Sequence, residues 1–366
     1  MTIALANTEA RYLGRGQITR TSRVGDNSPP KAGGAGVPNI PRGRARSAMP
    51  LWQIKEGVMK TEAASSLPVS FLWLEVTGKC QLECVHCYAD SGPGGRHSSL
   101  AVKRWRDVIS QGAALGVQMV QFIGGEPTLY AGLPDLIDHA LDLDVEVEVF
   151  SNLVRVPPQL WAMFEKPGVR LATSYYTDSP DQHTAITQRD THRQTRANIG
   201  EAVRRGIRLR VGVVGTSDGQ RVDQAYQQLR DIGVAEIGFD ELREVGRGGR
   251  SGGGDVEQLC GNCGRGVAAV GPNGDVWPCV FSRWLPAGNV TDASLAEILD
   301  GDRWLTTQQR LSEQFAQRDG RHDAGGVSWP CVPNMCNPQC GPSCSPACVP
   351  ANNCRPVGAC VPSYYG

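Results

Sequence analysis

No stretch of about 18 consecutive apolar residues occurs in the 366-residue sequence, so nothing in it reads as a helix that spans a bilayer. Charge of one sign is not in excess either: 37 Lys and Arg stand against 37 Asp and Glu. Recognition of nucleic acid or of an anionic membrane surface needs a clustered surplus of cations, so neither is expected as the main partner. The N-terminus also lacks the apolar core of about 7–15 residues that a secretory signal requires. Cysteine is missing from Tyr88 through Leu259, although the chain has 13 in all. An oxidised, secreted scaffold is usually short and spreads its cysteines throughout, so this grouping points to metal in a reducing cytoplasm.

What is present divides the chain unevenly. Residues 1–48 carry eight basic side chains against Glu9 and Asp26, are rich in Gly, Pro, Arg and Ser, and have no sustained apolar period. Such a stretch cannot offset the entropy of ordering and is expected to be a disordered extension, or to precede a true start at Met49 or Met59. Residues 331–366 hold seven Cys, seven Pro and a single charged residue, Arg355. With almost nothing to build a hydrophobic core, this segment must be held by cross-links or metal, or else stay loose.

Between these ends, short β-branched or aromatic runs alternate with helical patterns, which predicts repeated βα units on a parallel sheet. Strands are expected at Phe71–Val76, Val120–Ile123, Val145–Phe150, Val169–Ser174, Leu209–Val214 and Glu236–Phe239. Helices are expected near Leu100–Ala114, Leu133–Leu141, Pro158–Phe164, Thr195–Arg204 and Val222–Asp231, where apolar residues recur three and four apart. Right-handed crossovers would curl such a sheet into a partial barrel, with ligands held by the loops after the strand C-termini. The Gly-rich run Gly246–Gly254 reads as a flexible linker at a domain boundary.

The stretch VTGKCQLECVHCY places Cys80, Cys84 and Cys87 at C-x3-C-x2-C spacing directly after the first expected strand. Both a [4Fe–4S] cluster and a structural zinc normally take four protein ligands, so three thiolates in one loop leave a metal position open for a small molecule. A zinc knuckle or unliganded buried thiols are the plainer alternatives. After the second strand comes QFIGGEPTL, with Gly124, Gly125, Glu126 and Pro127. Taken together, the cysteine loop and the GGEP turn one βα unit later resemble the radical S-adenosylmethionine (SAM) superfamily.

That resemblance implies an α/β fold, a partial (β/α)6 barrel with a small Cys-rich C-terminal domain. It implies a [4Fe–4S] cluster on Cys80, Cys84 and Cys87, with SAM chelating the open iron and cleaved by one electron to a 5′-deoxyadenosyl radical. The GGEP residues would line the SAM amino group, the glycines allowing close backbone approach and the carboxylate facing an ammonium. Ser151 and Asn152 after the third strand, and Ser174 at the end of the fourth, resemble the polar residues near the SAM ribose or methionine, or they are ordinary caps and turns. His86 and Tyr88 are expected to pack around the cluster and the adenine. The domains expected are a core over 68–245, a linker over 246–258 and an auxiliary domain over 259–366.

The segment CGNCGRGVAAVGPNGDVWPC resembles the start of a SPASM domain, an auxiliary iron–sulfur module, with its C-x(9–15)-G-x4-C element met by Cys263, Gly274 and Cys279. Asn273-Gly274 is a hairpin turn signal between apolar runs, which would bring Cys263 and Cys279 together. Further ligands for auxiliary [4Fe–4S] clusters would come from Cys260, Cys331, Cys336, Cys340, Cys344, Cys348, Cys354 and Cys360, whose spacing matches the family only in part. Zinc or oxidised disulfides remain the alternative for these. Relatives of this type most often modify ribosomally made peptides, so peptide maturation is the leading expectation. A dehydrogenase or epimerase of a small metabolite, and a non-catalytic metal scaffold, are the others. Asp240, Glu241 and Arg243 follow the sixth strand and would meet substrate or form surface ion pairs. An electron donor such as flavodoxin or ferredoxin is implied, and a cytoplasmic setting.

Overall fold

The computed structural model describes residues 69–249 and 254–325. The basic N-terminal stretch and the seven cysteines from Cys331 to Cys360 lie outside the described residues.

Six βα-type strands run in sequence: β1 (Phe71–Thr77), β2 (Met119–Gly124), β3 (Glu146–Phe150), β4 (Val169–Tyr175), β5 (Leu209–Gly215) and β6 (Glu236–Glu241). Helices α1 (Val102–Ala114), α2 (Leu133–Leu141), α3 (Pro158–Phe164), α4 (Pro180–Thr187), α5 (His192–Arg204) and α6 (Val222–Ile232) alternate with them. Each of the first five pairs in parallel with the next, as the alternating pattern predicts. All seven residues of β1 are buried, because helices cover one face and C-terminal residues such as Leu259, Val280, Leu311 and Phe315 pack in the cluster on the other. On the helix side, α1 inserts Trp105, Val108 and Ile109 and α2 inserts Leu133, Leu136, Ile137 and Ala140, the three-and-four spacing of one helical face. Fully burying each of the larger of these side chains stabilises the fold by roughly 1.5–3 kcal/mol.

The C-terminal region is less separate than its composition suggests. Strands β7 (Val267–Val270), β8 (Asp275–Trp277) and β9 (Gly288–Asn289) extend the same sheet, giving the order β6-β5-β4-β3-β2-β1-β7-β8-β9. β7 lies parallel to β1, with Phe71 opposite Val267 and Leu74 opposite Val270. β7 and β8 form the expected antiparallel hairpin, its turn closed by Gly274 at φ +92°. Helices α7 (Leu295–Leu299) and α8 (Asp302–Gly325) follow, with Trp304, Leu311 and Phe315 buried. The sheet is open between β6 and β9, and the parallel strands β1 to β7 carry their C-terminal ends, and the loops that follow, to one rim. Among the described residues no helix is long and apolar enough to cross a membrane.

Candidate active site

The cysteine loop leaves β1 and is pinned on three sides. Lys79 bridges to Gly92, the Cys80 N–H donates to the Gly92 carbonyl at 3.0 Å, and the Glu83 and Val85 N–H groups donate to Thr187 and Ile186 at the end of α4 at 3.1 and 3.0 Å. The sulfurs accept N–H bonds from the loop and beyond it: Leu82 N to Cys80 Sγ at 3.4 Å, Ser91 N to Cys87 Sγ at 3.4 Å, and Asn152 Nδ2 to Cys80 Sγ at 3.6 Å. Donors aimed at sulfur suit a thiolate or a sulfur carrying metal, because they offset its charge. As thiols the groups resist ionisation. Burial, then Glu126, pushes Cys80 up to about 12, and burial, then Cys87, does the same to Cys84. Bound metal supplies the positive charge that makes thiolates stable in such a place.

Among the described residues no three His, Cys, Asp or Glu side chains converge tightly enough to hold a single metal ion. Tyr176 is buried near the loop, and burial, then Cys84 and Cys87 and more weakly Cys80, raise its pKa. Three soft ligands with N–H support fit a [4Fe–4S] cluster that keeps one iron for another ligand.

The GGEP turn sits against this loop and serves a purpose its sequence does not announce. Gly125 N donates to Thr77 O at 2.7 Å and Glu126 N to Lys79 O at 2.8 Å. Gly124 has φ +138°, and a Cβ at Gly124 or Gly125 would strike the backbone of Thr77 or of Lys79. The glycines are thus required by the close approach of the cysteine loop itself, not by a ligand alone. Glu126 has a structural part as well. Its carboxylate is fully buried and accepts from Thr128 N at 3.0 Å, Thr128 Oγ1 at 2.7 Å, Ser151 Oγ at 2.8 Å and Asn152 N at 2.8 Å. With three donors on Oε1 and one on Oε2, the carboxylate acts as a clamp between the β2 and β3 loops.

Pro127 opens the short 3-10 turn after Glu126, where a missing N–H costs nothing. Ser151, already bound to Glu126, accepts from Leu153 N at 3.0 Å, and Asn152 Oδ1 accepts from Gln81 Nε2 and Val154 N, each at 3.0 Å. Asn152 therefore ties the end of β3 to the cysteine loop through both Gln81 and Cys80. Ser174 lies near the end of β4, opposite Gly212 of β5. Ser151 and Asn152 thus meet Glu126 and the cysteine loop where β3 ends.

Two neighbours of the cysteines are held by rings of the chain. His86 stacks edge-on against Tyr176, ring centroids 5.1 Å apart, and burial lowers its pKa to about 4. Tyr88 turns toward the C-terminal hairpin: it lies 5.0 Å from the Phe281 ring, under the Arg283 guanidinium at 5.5 Å, and Arg283 pairs with buried Glu75 of β1. Tyr176 was not legible as a site residue; its one signal was its place just beyond Ser174 at a strand end. Asp240 pairs with Arg243 at 3.5 Å, and Arg243 covers the Phe281 ring at 5.0 Å, so this group helps join β6 to the hairpin region.

The hairpin brings Cys263 Sγ and Cys279 Sγ to 2.9 Å. Hydrogen bonding with Cys260 and then Cys279, with burial, holds the Cys263 thiol well above its usual range. The expected linker also differs. Gly246–Gly248 forms a 3-10 turn packed on the cysteine loop, where a Cβ on Gly246 would strike the Cys87 and Tyr88 carbonyls. Backbone contact of this kind, not glycine content, decides whether such a run is loose.

Known proteins bear on this geometry. A family model described as the radical SAM superfamily matches residues 74–237, and one described as an iron–sulfur cluster-binding domain, SPASM, matches residues 260–324. Among curated proteins, the GTP 3′,8-cyclase of Alkaliphilus oremlandii is 23% identical over 49% of this chain and 58% of its own length. The PqqA peptide cyclase of Streptomyces rochei is 28% identical over 52% of each, and the mycofactocin maturase MftC of Mycobacterium tuberculosis 28% identical over 48% of this chain and 38% of its own length. The chain spans about half the length of the curated relatives it matches. Among solved structures, SuiB of Streptococcus suis bound to S-adenosylmethionine aligns at TM-score 0.55 and 16% identity, over 65% of this chain and 66% of that one, a likeness of fold. The two family matches cover the barrel and the hairpin region in succession, and the chain belongs to the radical SAM superfamily with a SPASM region after its barrel.

Proposed function

We propose that this chain is an enzyme that cleaves SAM reductively to abstract a hydrogen atom from a ribosomally synthesised peptide, maturing that peptide. The observation that carries the reading is the cysteine loop: three thiols with N–H donors on two of their sulfurs, at the strand rim, clamped by the GGEP turn. A [4Fe–4S] cluster and SAM, when bound, supply the one-electron chemistry. The chain's own residues do the rest. Cys80, Cys84 and Cys87 would hold the cluster, and Asn152 would fix the Cys80 sulfur. Ser151, Asn152, Ser174 and the carbonyls of the GGEP turn would orient SAM. The auxiliary thiols Cys260, Cys263 and Cys279 would hold part of a second cluster.

The peptide substrate is supported by relatives named as a PqqA peptide cyclase and as mycofactocin maturases, and by a SuiB structure with precursor peptide SuiA. The GTP 3′,8-cyclase relative favours a second reading, a small metabolite. Anaerobic reaction with SAM, dithionite and a peptide encoded beside the gene tests the choice. A peptide mass loss of two hydrogens or a new cross-link, formed only with SAM, is the expected result. SAM cleavage with unaltered peptide, together with conversion of a nucleotide or sugar, would replace the peptide reading.

A further inference from the structure

Arg247 lies 160 residues from the third loop cysteine, yet it hydrogen-bonds along the loop from Cys84 to Ser91. Its N–H donates to Cys87 O at 3.0 Å, and its guanidinium donates from Nε to Cys84 O at 3.0 Å, from Nη1 to Asp90 Oδ1 at 2.8 Å and from Nη2 to Ser91 O at 2.5 Å. Asp90 sits at φ +51°, a left-handed bend that is held by the Asp90 N–H to Cys87 O bond of 3.2 Å and by the Arg247 pair. One planar fork thus reaches three acceptors spread across the segment between Cys84 and Ser91, a geometry an ammonium cannot copy. Gly246, packed on the Cys87 and Tyr88 carbonyls, delivers Arg247 there.

We propose that Arg247 is a positioning residue of the N-terminal cluster site. It closes the Cys84–Ser91 segment around the sulfurs and stands beside them as a fixed cation that favours the reduced, more negative cluster. The reasoning is electrostatic: reduction adds one negative charge, and a half-buried cation close by stabilises the product more than the reactant. The proposal rests on the reading that Cys80, Cys84 and Cys87 hold a [4Fe–4S] cluster, but its mechanical half does not.

Wild type, Arg247→Lys and Arg247→Gln separate the two. In iron-free protein, amide hydrogen exchange over residues 84–91 is expected to be at least about tenfold faster in both variants, since each loses hydrogen bonds made by a charged fork. In anaerobically reconstituted protein, a potentiometric titration followed by electron paramagnetic resonance is expected to find the cluster of Arg247→Gln at least about 59 mV more negative than wild type, a tenfold change in the reduction equilibrium. Arg247→Lys, which keeps the charge, is expected to hold the wild-type potential while still exchanging fast. Wild-type exchange in both variants overturns the mechanical half, and an unshifted Arg247→Gln overturns the electrostatic half. Should Arg247→Gln lose its iron, a shift of Arg247→Lys by the same amount overturns the electrostatic half instead. A wild-type protein that binds no iron sinks the cluster reading alone and leaves the exchange comparison standing.

Discussion

Glu126 and Glu148 are both fully buried carboxylates, and their partners decide opposite roles. Glu126 has only neutral donors, and burial raises its pKa against the bonds from Asn152, Thr128 and Ser151. Glu126→Gln replaces one oxygen by an NH2 that must face a donor, so it loses at least one charge-assisted bond. The expected cost is about 1.5–3 kcal/mol, read as a lower urea midpoint with an unchanged slope. Glu148, on the concave face of β3, pairs with Arg170 at 3.1 Å and Arg210 at 2.6 Å. Burial opposes its charge, but Arg210 and then Arg170 prevail and its pKa falls below the ordinary carboxylate value. The unfolded chain therefore takes up this proton first as pH falls. The stability Glu148 contributes is complete above the ordinary carboxylate range near pH 4.3 and is lost as pH drops through it toward the folded pKa. Glu148→Gln should cost about 3–5 kcal/mol at neutral pH and flatten that acid limb; an equally steep limb in the variant contradicts the assignment.

At the scale of elements, the loops after β1, β2 and β3 form one clamp, and the glycines of the GGEP turn are its tightest joint. Gly125→Ala forces a Cβ into the Lys79 backbone and should push the cysteine loop aside, abolishing iron uptake while far-ultraviolet circular dichroism stays near wild type. The six parallel strands, five of the helices and the three-cysteine loop were all legible, since hydrophobic period and motif spacing are local properties of the sequence. Helix α4 was not: it is eight residues long and its apolar periodicity is weak, and its ends, Ser179 and Gln188, carry the signal more than its faces. Nor was the packing of Gly246–Arg247, because glycine content predicts freedom and only tertiary contact removes it. The clamp that Glu126 makes was not legible for a related reason: a sequence shows a carboxylate but not which donors reach it.

For the whole molecule, the pairing of β7 with β1 makes the barrel and the hairpin region one sheet, so the two cysteine groups share a frame. Arg283 and Glu75 join them again, with Tyr88 next to Cys87 on one side and Phe281 near Cys279 on the other. A division of labour follows. Cys84→Ala should remove SAM cleavage altogether, whereas Cys279→Ala should spare some cleavage uncoupled from product, both measured as 5′-deoxyadenosine by chromatography. Equal and complete loss in two folded variants contradicts it. The account stands most directly on anaerobic reconstitution of the full chain with iron and sulfide, followed by reduction and electron paramagnetic resonance with and without SAM. A reduced four-iron signal that survives Cys279→Ala, disappears in the Cys80→Ala, Cys84→Ala, Cys87→Ala triple variant and changes shape when SAM is added is predicted. A protein whose three loop sulfurs bind no iron, or whose signal ignores SAM, would contradict it.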